Sequence, residues 1–319
     1  MLRCTAIQRF NDSGEESMKT PLLTLCAVIV LVSLAVGQAP APTAQANEKY
    51  VVNKAWAQAP ADLPWNAATS SIAPDGKGNV VVFVRAMPFF RMFKTDGTFV
   101  RSWGEASLFS QPHSLTFDRE GFIWTTDTAG QVVYKFDASG KLLLTLGKKG
   151  MAGDNASQEL FNQPSAVAIA ANGDIYVSDG YVNSRVVHFN KDGKFIRIIG
   201  GTKGSEPGQL QLPHGVAIDS AGRILVGDSD NKRISVFDKD GKFVENWPFA
   251  SRGGLLITAD DTVYVSDVNA GSISVLKNGK LVDTIGGLGR PHGIAIDKDG
   301  TLYAADAMGR AVTKITPKK

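Results

Sequence analysis

Hydrophobic and polar residues alternate along most of the chain, in short runs that end at glycine-containing turns. The segments VVYKFDASGKLLLTLG and RVVHFNKDGKFIRIIG alternate with a period of two, which is typical of half-buried β-strands. Their Ser-Gly and Asp-Gly pairs supply the positive φ angles that hairpin turns need. Few stretches have the pattern of a helix longer than one or two turns. We therefore expect an all-β protein built from hairpins.

These hairpins belong to a repeated unit. Four copies carry an aspartate 14 residues after a position that directly follows a proline: 113 to 127, 165 to 179, 214 to 228 and 292 to 306. Weaker copies cover residues 70–84 and 252–267. A period of roughly 40–50 residues with four short strands per unit is typical of a β-propeller blade. The pattern predicts a six-bladed β-propeller over residues 47–319, with four-stranded blades.

The last unit lacks its fourth strand. Its third strand is predicted over residues 311–315, close to the C-terminus, whereas the segment YVVNKAW (Tyr50–Trp56) precedes the first unit and has the pattern of an outer strand. We expect this N-terminal strand to pair with the C-terminal strand and close the ring. Closure removes the open sheet edges that would otherwise promote aggregation.

Composition excludes several classes of protein. The chain is 43% hydrophobic and 20% charged, which is ordinary for a globular protein. Its net charge of +3 is too balanced for a protein that binds nucleic-acid phosphates or anionic lipid. The two cysteines, Cys4 and Cys26, precede the repeats, so the propeller holds neither a disulfide nor a thiolate metal site.

The N-terminal 46 residues predict a signal peptide followed by a linker. Residues 22–36 form an apolar run of 15 residues, shorter than the roughly 20 that a membrane span needs. Lys19 precedes the run and small residues follow it, as in secretory signals. We expect translation to start at Met18 and the mature protein to be exported, to the periplasm or the exterior, without a membrane span. The alternative is an uncleaved anchor helix.

Three of the four histidines occupy the same repeat position, in units 2, 4 and 6: His113, His214 and His292. The first strand of a propeller blade is innermost, and alternate blades of six stand about 120° apart, so the three imidazoles should converge on the ring axis. Three neutral nitrogen ligands with one open position suit a catalytic zinc. The alternative is a histidine reused to cap turns. The intervening units have small residues at this position: Ser70, Ser165 and Gly253.

Two further residues are candidates for chemistry near that point. Tyr181 lies in the loop DGYVNSR after the second strand of unit 3, and a tyrosine beside a metal can act as an acid or base. Arg85 follows the second strand of unit 1 and could hold a carboxylate through two hydrogen bonds. The alternatives are a rim tyrosine that packs or contacts peptide, and a surface arginine. His188 lies in a third strand and is expected to pack there.

The stretch FNQPSAVAIAANGDIYVSDGYVNSRVVHFNKDGKF resembles NHL-repeat propellers, and among them the peptidyl-α-hydroxyglycine α-amidating lyases and their bacterial relatives. The resemblance extends over residues 70–319. It implies zinc bound by the three repeated histidines, with Tyr181 and Arg85 as catalytic residues. It also implies a structural calcium in the channel, bound in part by the backbone carbonyls of Ile72 and Leu115.

The chain departs from that family at two positions. Ser229, in DSDNKR, stands where the family has a second arginine, and Gly293 stands where an aspartate helps to hold calcium. The resemblance nevertheless implies an exported zinc-dependent lyase that splits a carbinolamide, an N–C(OH) centre, into an amide and glyoxylate. Its substrate would be a small molecule or peptide, and we expect a monomer.

Two other functions remain open from the sequence. One is a non-catalytic propeller that binds peptide, glycan or protein, because a fold does not determine a function. The other is a metal-dependent hydrolase or lactonase. It is the less favoured of the two, because such sites use carboxylate and asparagine ligands where this chain has histidine.

Overall fold

The computed structural model describes residues 48–318, which form six antiparallel sheets of four strands each. The predicted signal peptide, the linker up to residue 46 and Met18 lie outside these residues. Within them there is no helix, and therefore none that could cross a membrane. The prediction of an all-β six-bladed propeller is confirmed.

Each sheet is one blade. In blades 1 to 5 the four strands follow one another in the chain from the inside of the ring to the outside, whereas the outermost strand of blade 6 comes from the N-terminal part of the chain. Blades 1 to 3 contain β2 (Thr69–Pro74), β3 (Asn79–Val84), β4 (Phe90–Lys94), β5 (Phe99–Trp103), β6 (Pro112–Phe117), β7 (Ile123–Asp127), β8 (Val132–Phe136), β9 (Leu142–Gly147), β10 (Pro164–Ile169), β11 (Ile175–Asp179), β12 (Arg185–Phe189) and β13 (Phe195–Gly200). Blades 4 to 6 contain β14 (Pro213–Ile218), β15 (Ile224–Asp228), β16 (Arg233–Phe237), β17 (Phe243–Trp247), β18 (Leu255–Ile257), β19 (Thr262–Asp267), β20 (Ser272–Lys277), β21 (Lys280–Ile285), β22 (Pro291–Ile296), β23 (Leu302–Asp306), β24 (Val312–Pro317) and β1 (Tyr50–Asn53).

The first strands of neighbouring blades contact one another around the whole ring and line its central channel. The second strands are the most buried. The sequences NVVVFV and ILVGD of β3 and β15 are inaccessible along almost their entire length. Neighbouring blades cover both faces of such a strand, so its residues are buried in succession and do not alternate between buried and exposed. The channel is thus surrounded by a rigid, close-packed wall.

The N-terminal strand closes the ring as predicted. β1 pairs with β24 in antiparallel register, from Tyr50 opposite Pro317 to Asn53 opposite Lys314. The predicted strand was too long, however, since β1 ends at Asn53 and Trp56 turns into the core. Its ring packs between Phe93 of blade 1 and Tyr303 of blade 6, with centroids 6.0 and 5.1 Å away. A large apolar side chain gains more from burial there than from continuing an exposed outer strand.

The recurring aspartates hold the loops that lead into the inner strands. Asp127 accepts hydrogen bonds from the backbone N–H groups of Ser110 and Gln111 at 2.7 and 2.6 Å. Asp228 accepts one from the N–H of Gln211 at 2.6 Å. These bonds satisfy backbone donors that no strand partner reaches, and they orient the start of β6 and β14.

Replacing Trp56 by alanine should lower the free energy of unfolding by about 3–5 kcal/mol, because it leaves a cavity where blades 1 and 6 meet. Val51→Ala is the matched control in the same segment, since Val51 is 53% exposed and should cost about 0.5 kcal/mol or less. Equilibrium unfolding in guanidinium chloride measures both. Equal stabilities of the two variants would contradict the role of Trp56 in ring closure.

Candidate metal centre

His113, His214 and His292, the histidine trio, stand together at one end of the channel. All three rings are buried, and one nitrogen of each lies within 4.8 Å of the other two. The ring centroids are 4.7 to 5.0 Å apart. The convergence that the repeat spacing predicted is thus present in the structure.

A bulge at the start of the inner strand directs each side chain to the axis. The pairing register shifts between Pro112 and Leu115 in blade 2, and between Pro213 and Gly215 in blade 4. The bulges span the histidine positions. A bulge interrupts the regular ladder and re-aims a side chain, and bulges are frequent near functional sites. The same shift occurs around Ser165 in blade 3, where the equivalent position is not a histidine.

Blades 1, 3 and 5, which contribute no histidine to the trio, hold the rings of blades 2, 4 and 6. The Nδ1 atom of each ring lies within hydrogen-bond distance of a backbone carbonyl of the next blade around the ring. The three contacts are His113 to Ser165 at 2.6 Å, His214 to Gly253 at 3.0 Å and His292 to Ser70 at 2.7 Å. A carbonyl only accepts, so each Nδ1 carries a proton and each Nε2 keeps its lone pair.

Burial keeps the histidine trio neutral. Desolvation lowers the pKa of His214 to about 4 and that of His292 to about 3, and it holds the pKa of His113 well below its usual range. The neighbouring imidazoles and the Arg85 guanidinium lower the pKa of His113 further. At neutral pH the site therefore presents uncharged imidazoles, the form that binds metal.

The arrangement fits a single metal ion with three nitrogen ligands. Each Nδ1–H donates to a backbone carbonyl, which is a common partner that orients metal-ligating histidines in proteins. The Tyr181 hydroxyl lies 2.9 Å from Nε2 of His113 and 3.1 Å from Nε2 of His214. Because that hydroxyl has one proton, it can satisfy only one of the two lone pairs. Buried acceptors without a donor favour a bound cation, although the metal assignment itself stays a prediction.

The loop DGYVNSR holds Tyr181 rigidly over the histidine trio. Gly180 allows a close approach to blade 4, since a Cβ there would lie only 1.8 Å from the carbonyl oxygen of Pro213. The buried Arg185 donates to Asp179 and to backbone carbonyls of the long loop between β9 and β10, including that of Leu160. Most residues of the motif thus position the tyrosine and perform no chemistry themselves.

Arg85 also lies at this end of the channel. Its Nε donates to the carbonyl of Pro112 at 3.3 Å, directly before His113, and burial lowers the pKa of its guanidinium. Burial raises the pKa of the Tyr181 hydroxyl, while the positive charges of Arg85 and Arg252 act in the opposite direction. His188 lies elsewhere, stacked on Tyr176 in blade 3 with its Nε2 2.9 Å from Asp174.

Arg252 was not predicted from the sequence. It directly precedes Gly253, whose carbonyl holds His214, and its guanidinium lies 3.2 Å from Asp230. No repeat position marks it, because it lies in the irregular loop before β18. One signal is available in the sequence. Ser229 follows the second strand of blade 4 and Arg252 precedes the first strand of blade 5, and both positions lie at the same end of the channel.

Comparison with known proteins agrees with this architecture. The NHL repeat family matches residues 161–189 and 210–237, in blades 3 and 4. NHL repeat-containing protein 3 of Homo sapiens is 31% identical over 261 residues, covering 72% of this chain and 73% of the human protein. The chain belongs to the NHL-repeat proteins. In fold, this NHL-repeat propeller is similar to a solved streptogramin B lyase (TM-score 0.60, 13% identity), with 85% and 98% of the two chains covered.

Other relatives are named for peptide amidation. This NHL-repeat propeller is 32% identical over 299 residues to peptidyl-glycine alpha-amidating monooxygenase B of Xenopus laevis, covering 78% of this chain and 34% of the frog protein. A Caenorhabditis elegans protein named "Probable peptidyl-alpha-hydroxyglycine alpha-amidating lyase" is 31% identical over 219 residues, with 63% of this chain and 62% of the other covered. The chain thus spans about a third of the length of the frog monooxygenase.

The channel beyond the histidine trio is a poor site for calcium. This cavity of about 260 Å³ is lined by the inner strands, and its described lining contains no aspartate or glutamate. Ca²⁺ prefers several oxygen ligands that include carboxylates. At the expected carbonyls, the Ser71 hydroxyl donates to the carbonyl of Leu115 at 3.3 Å, while the Ile72 side chain is buried in the blade. A Cβ on Gly293 would lie 2.5 Å from the Cα of Ser71, so an aspartate has no room there.

Removing calcium should therefore leave this NHL-repeat propeller unchanged. We expect dialysis against a calcium-selective chelator to shift the thermal unfolding midpoint by less than about 1 °C, because ligand removal lowers stability only where ligand was bound. Differential scanning calorimetry with and without added CaCl₂ measures the shift. A midpoint that rises with calcium concentration would show that the channel holds the ion without a carboxylate.

Proposed function

We propose that this protein is an exported zinc-dependent lyase that splits an N-acyl-α-hydroxyglycine into an amide and glyoxylate. The observation that carries the proposal is the histidine trio, with oriented Nε2 lone pairs and the Tyr181 hydroxyl within 2.9 and 3.1 Å of two of them. The relatives named for peptide amidation support the same reaction class. Export is inferred from the apolar run at residues 22–36.

The residues of this chain account for the proton movements of the reaction. Tyr181 takes the proton of the carbinol hydroxyl, whose oxygen forms the aldehyde carbonyl as the carbon–nitrogen bond breaks. The electron pair of that bond stays on nitrogen, and Tyr181 returns the proton there to complete the amide. Arg85 orients the substrate and compensates its negative charge. Zinc, when bound, would supply the positive charge that polarises the hydroxyl oxygen and favours the Tyr181 phenolate.

The position of the site supports chemistry on a small or peptidic group. Tyr181, in the loop after β11, contacts the histidine trio and is partly exposed, so a chain end can reach the trio from its side. Elsewhere the inner strands enclose the trio. The rings are buried while the Tyr181 side chain remains 39% exposed, as expected for a group that meets a ligand from solution.

The metal content of the purified protein tests the zinc site. We expect about one zinc per chain in the wild type, as in three-histidine catalytic sites, and loss of that zinc in His214→Ala. His188→Gln is the matched control, since His188 packs in blade 3 away from the trio. Inductively coupled plasma mass spectrometry gives the stoichiometry. A wild-type protein without zinc after growth in zinc-replete medium would refute the metal centre.

Glyoxylate release from N-benzoyl-α-hydroxyglycine tests the reaction. Tyr181→Phe removes only the hydroxyl that moves the proton, so kcat should fall about 100-fold or more, the usual contribution of general acid–base catalysis. Tyr264→Phe, in β19 of blade 5, is the matched control and should keep wild-type kcat. Zinc-loaded wild type that releases no glyoxylate would refute the lyase and favour a binding propeller.

A further inference from the structure

The residues directly before and after Arg252 both form backbone hydrogen bonds at the candidate site. The carbonyl of Ser251, before it, accepts a hydrogen bond from the Ser229 hydroxyl of blade 4. The carbonyl of Gly253, after it, accepts the Nδ1 proton of His214 at 3.0 Å. Ser251 is fully buried. The backbone that carries Arg252 is thus tied to the histidine trio itself.

The side chain of Arg252 has little to bind within the protein. Its side chain is 48% exposed, and its partner among the described residues is the exposed Asp230, which one of its guanidinium nitrogens meets at 3.2 Å. Exposed ion pairs of this kind contribute little to stability. An arginine side chain has five N–H donors, and the contact with Asp230 uses one nitrogen, so most donors remain available to a ligand. Two of them can form parallel hydrogen bonds to a carboxylate.

The electrostatics of this end of the channel favour an anion. Arg252 adjoins Gly253, whose carbonyl meets His214, and its guanidinium contacts Asp230 in the loop after β15. Tyr181 and Arg85 follow the second strands of their own blades in the same way, so all three lie at this end of the channel. Arg85 adds a second positive charge from blade 1. The nearby buried aspartates are already paired, Asp179 with Arg185 and Asp228 with Arg233.

We propose that Arg252 is a specificity-determining residue that binds the carboxylate of the ligand at the open side of the histidine trio. The proposal rests on the proposed function for the identity of that ligand, an α-hydroxyglycine carboxylate. Arg85, Tyr181 and Arg252 then come from blades 1, 3 and 5, while blades 2, 4 and 6 supply the histidines. A ligand whose terminal carboxylate is blocked should be excluded.

Binding of two inert ligands to the zinc-loaded full-length protein tests this without turnover. N-benzoylglycine carries the carboxylate, and N-benzoylglycinamide replaces it with a neutral amide. By calorimetry we expect the wild type to bind the acid about tenfold more tightly than the amide, and Arg252→Gln to lose about tenfold in affinity for the acid alone, as expected for a hydrogen bond to a charged group. Arg252→Lys should recover part of that loss.

Asp230→Asn is the matched control, since it breaks the same ion pair and leaves Arg252 in place. It should bind the acid at least as tightly as the wild type. Equal losses in Asp230→Asn and Arg252→Gln would show that the pair is structural and overturn the proposal, as would wild-type affinity in Arg252→Gln. Thermal unfolding of each variant checks that the fold is intact.

The test of Arg252 can fail independently of the test of the lyase reaction. If glyoxylate is released, Arg252→Gln should raise KM about tenfold and change kcat less than threefold. Release of glyoxylate with an unchanged KM overturns the role of Arg252 and leaves the lyase standing. Absence of glyoxylate release, together with a carboxylate preference that Arg252→Gln removes, refutes the lyase and supports the anion site.

Discussion

The hydrogen bond from each imidazole Nδ1 to a carbonyl of the next blade is the interaction on which the candidate site depends. It joins blade 2 to blade 3, blade 4 to blade 5 and blade 6 to blade 1. Each bond determines which nitrogen carries the proton and where the ring points. The acceptors are buried backbone atoms, two in the inner strands β2 and β10 and one in the segment before β18. The rings are therefore held by the backbone of the propeller and not by flexible side chains.

This constraint explains why two kinds of blade alternate. A blade that supplies a histidine needs a bulge that turns its side chain to the axis, and the next blade needs a bulge or irregular start that leaves a carbonyl free. Ser70, Ser165 and Gly253 fulfil the second role, and a Cβ on Gly253 would lie only 2.2 Å from the Ser266 hydroxyl oxygen. The degenerate fifth unit has an inner strand of only three residues, yet it still presents the Gly253 carbonyl.

The same enclosure controls the charge of the site. Burial makes protonated imidazoles costly, so the trio stays neutral and its lone pairs face one another. Such a cluster is unfavourable unless a cation or a proton donor satisfies it, and Tyr181 can satisfy it only in part. Positive charges from Arg85 and Arg252 then surround the open side, where an anionic ligand would compensate them. Farther along the channel the described lining contains no aspartate or glutamate, the side chains whose oxygens calcium prefers.

Much of this could be predicted from the sequence. Period-two alternation within each unit and the recurrence of the units can both be read along the chain. They predicted the six blades, the closing strand and the meeting of His113, His214 and His292 at the axis. Tyr181 and Arg85 were found because they follow second strands at comparable places in their units. Only the tertiary structure decided which carbonyls orient the imidazoles, that Trp56 leaves the outer strand for the core, and that Arg252 adjoins the Gly253 carbonyl that orients His214. Those contacts join different blades, and their geometry depends on how packed sheets stand around the axis, which no pattern within a single repeat records.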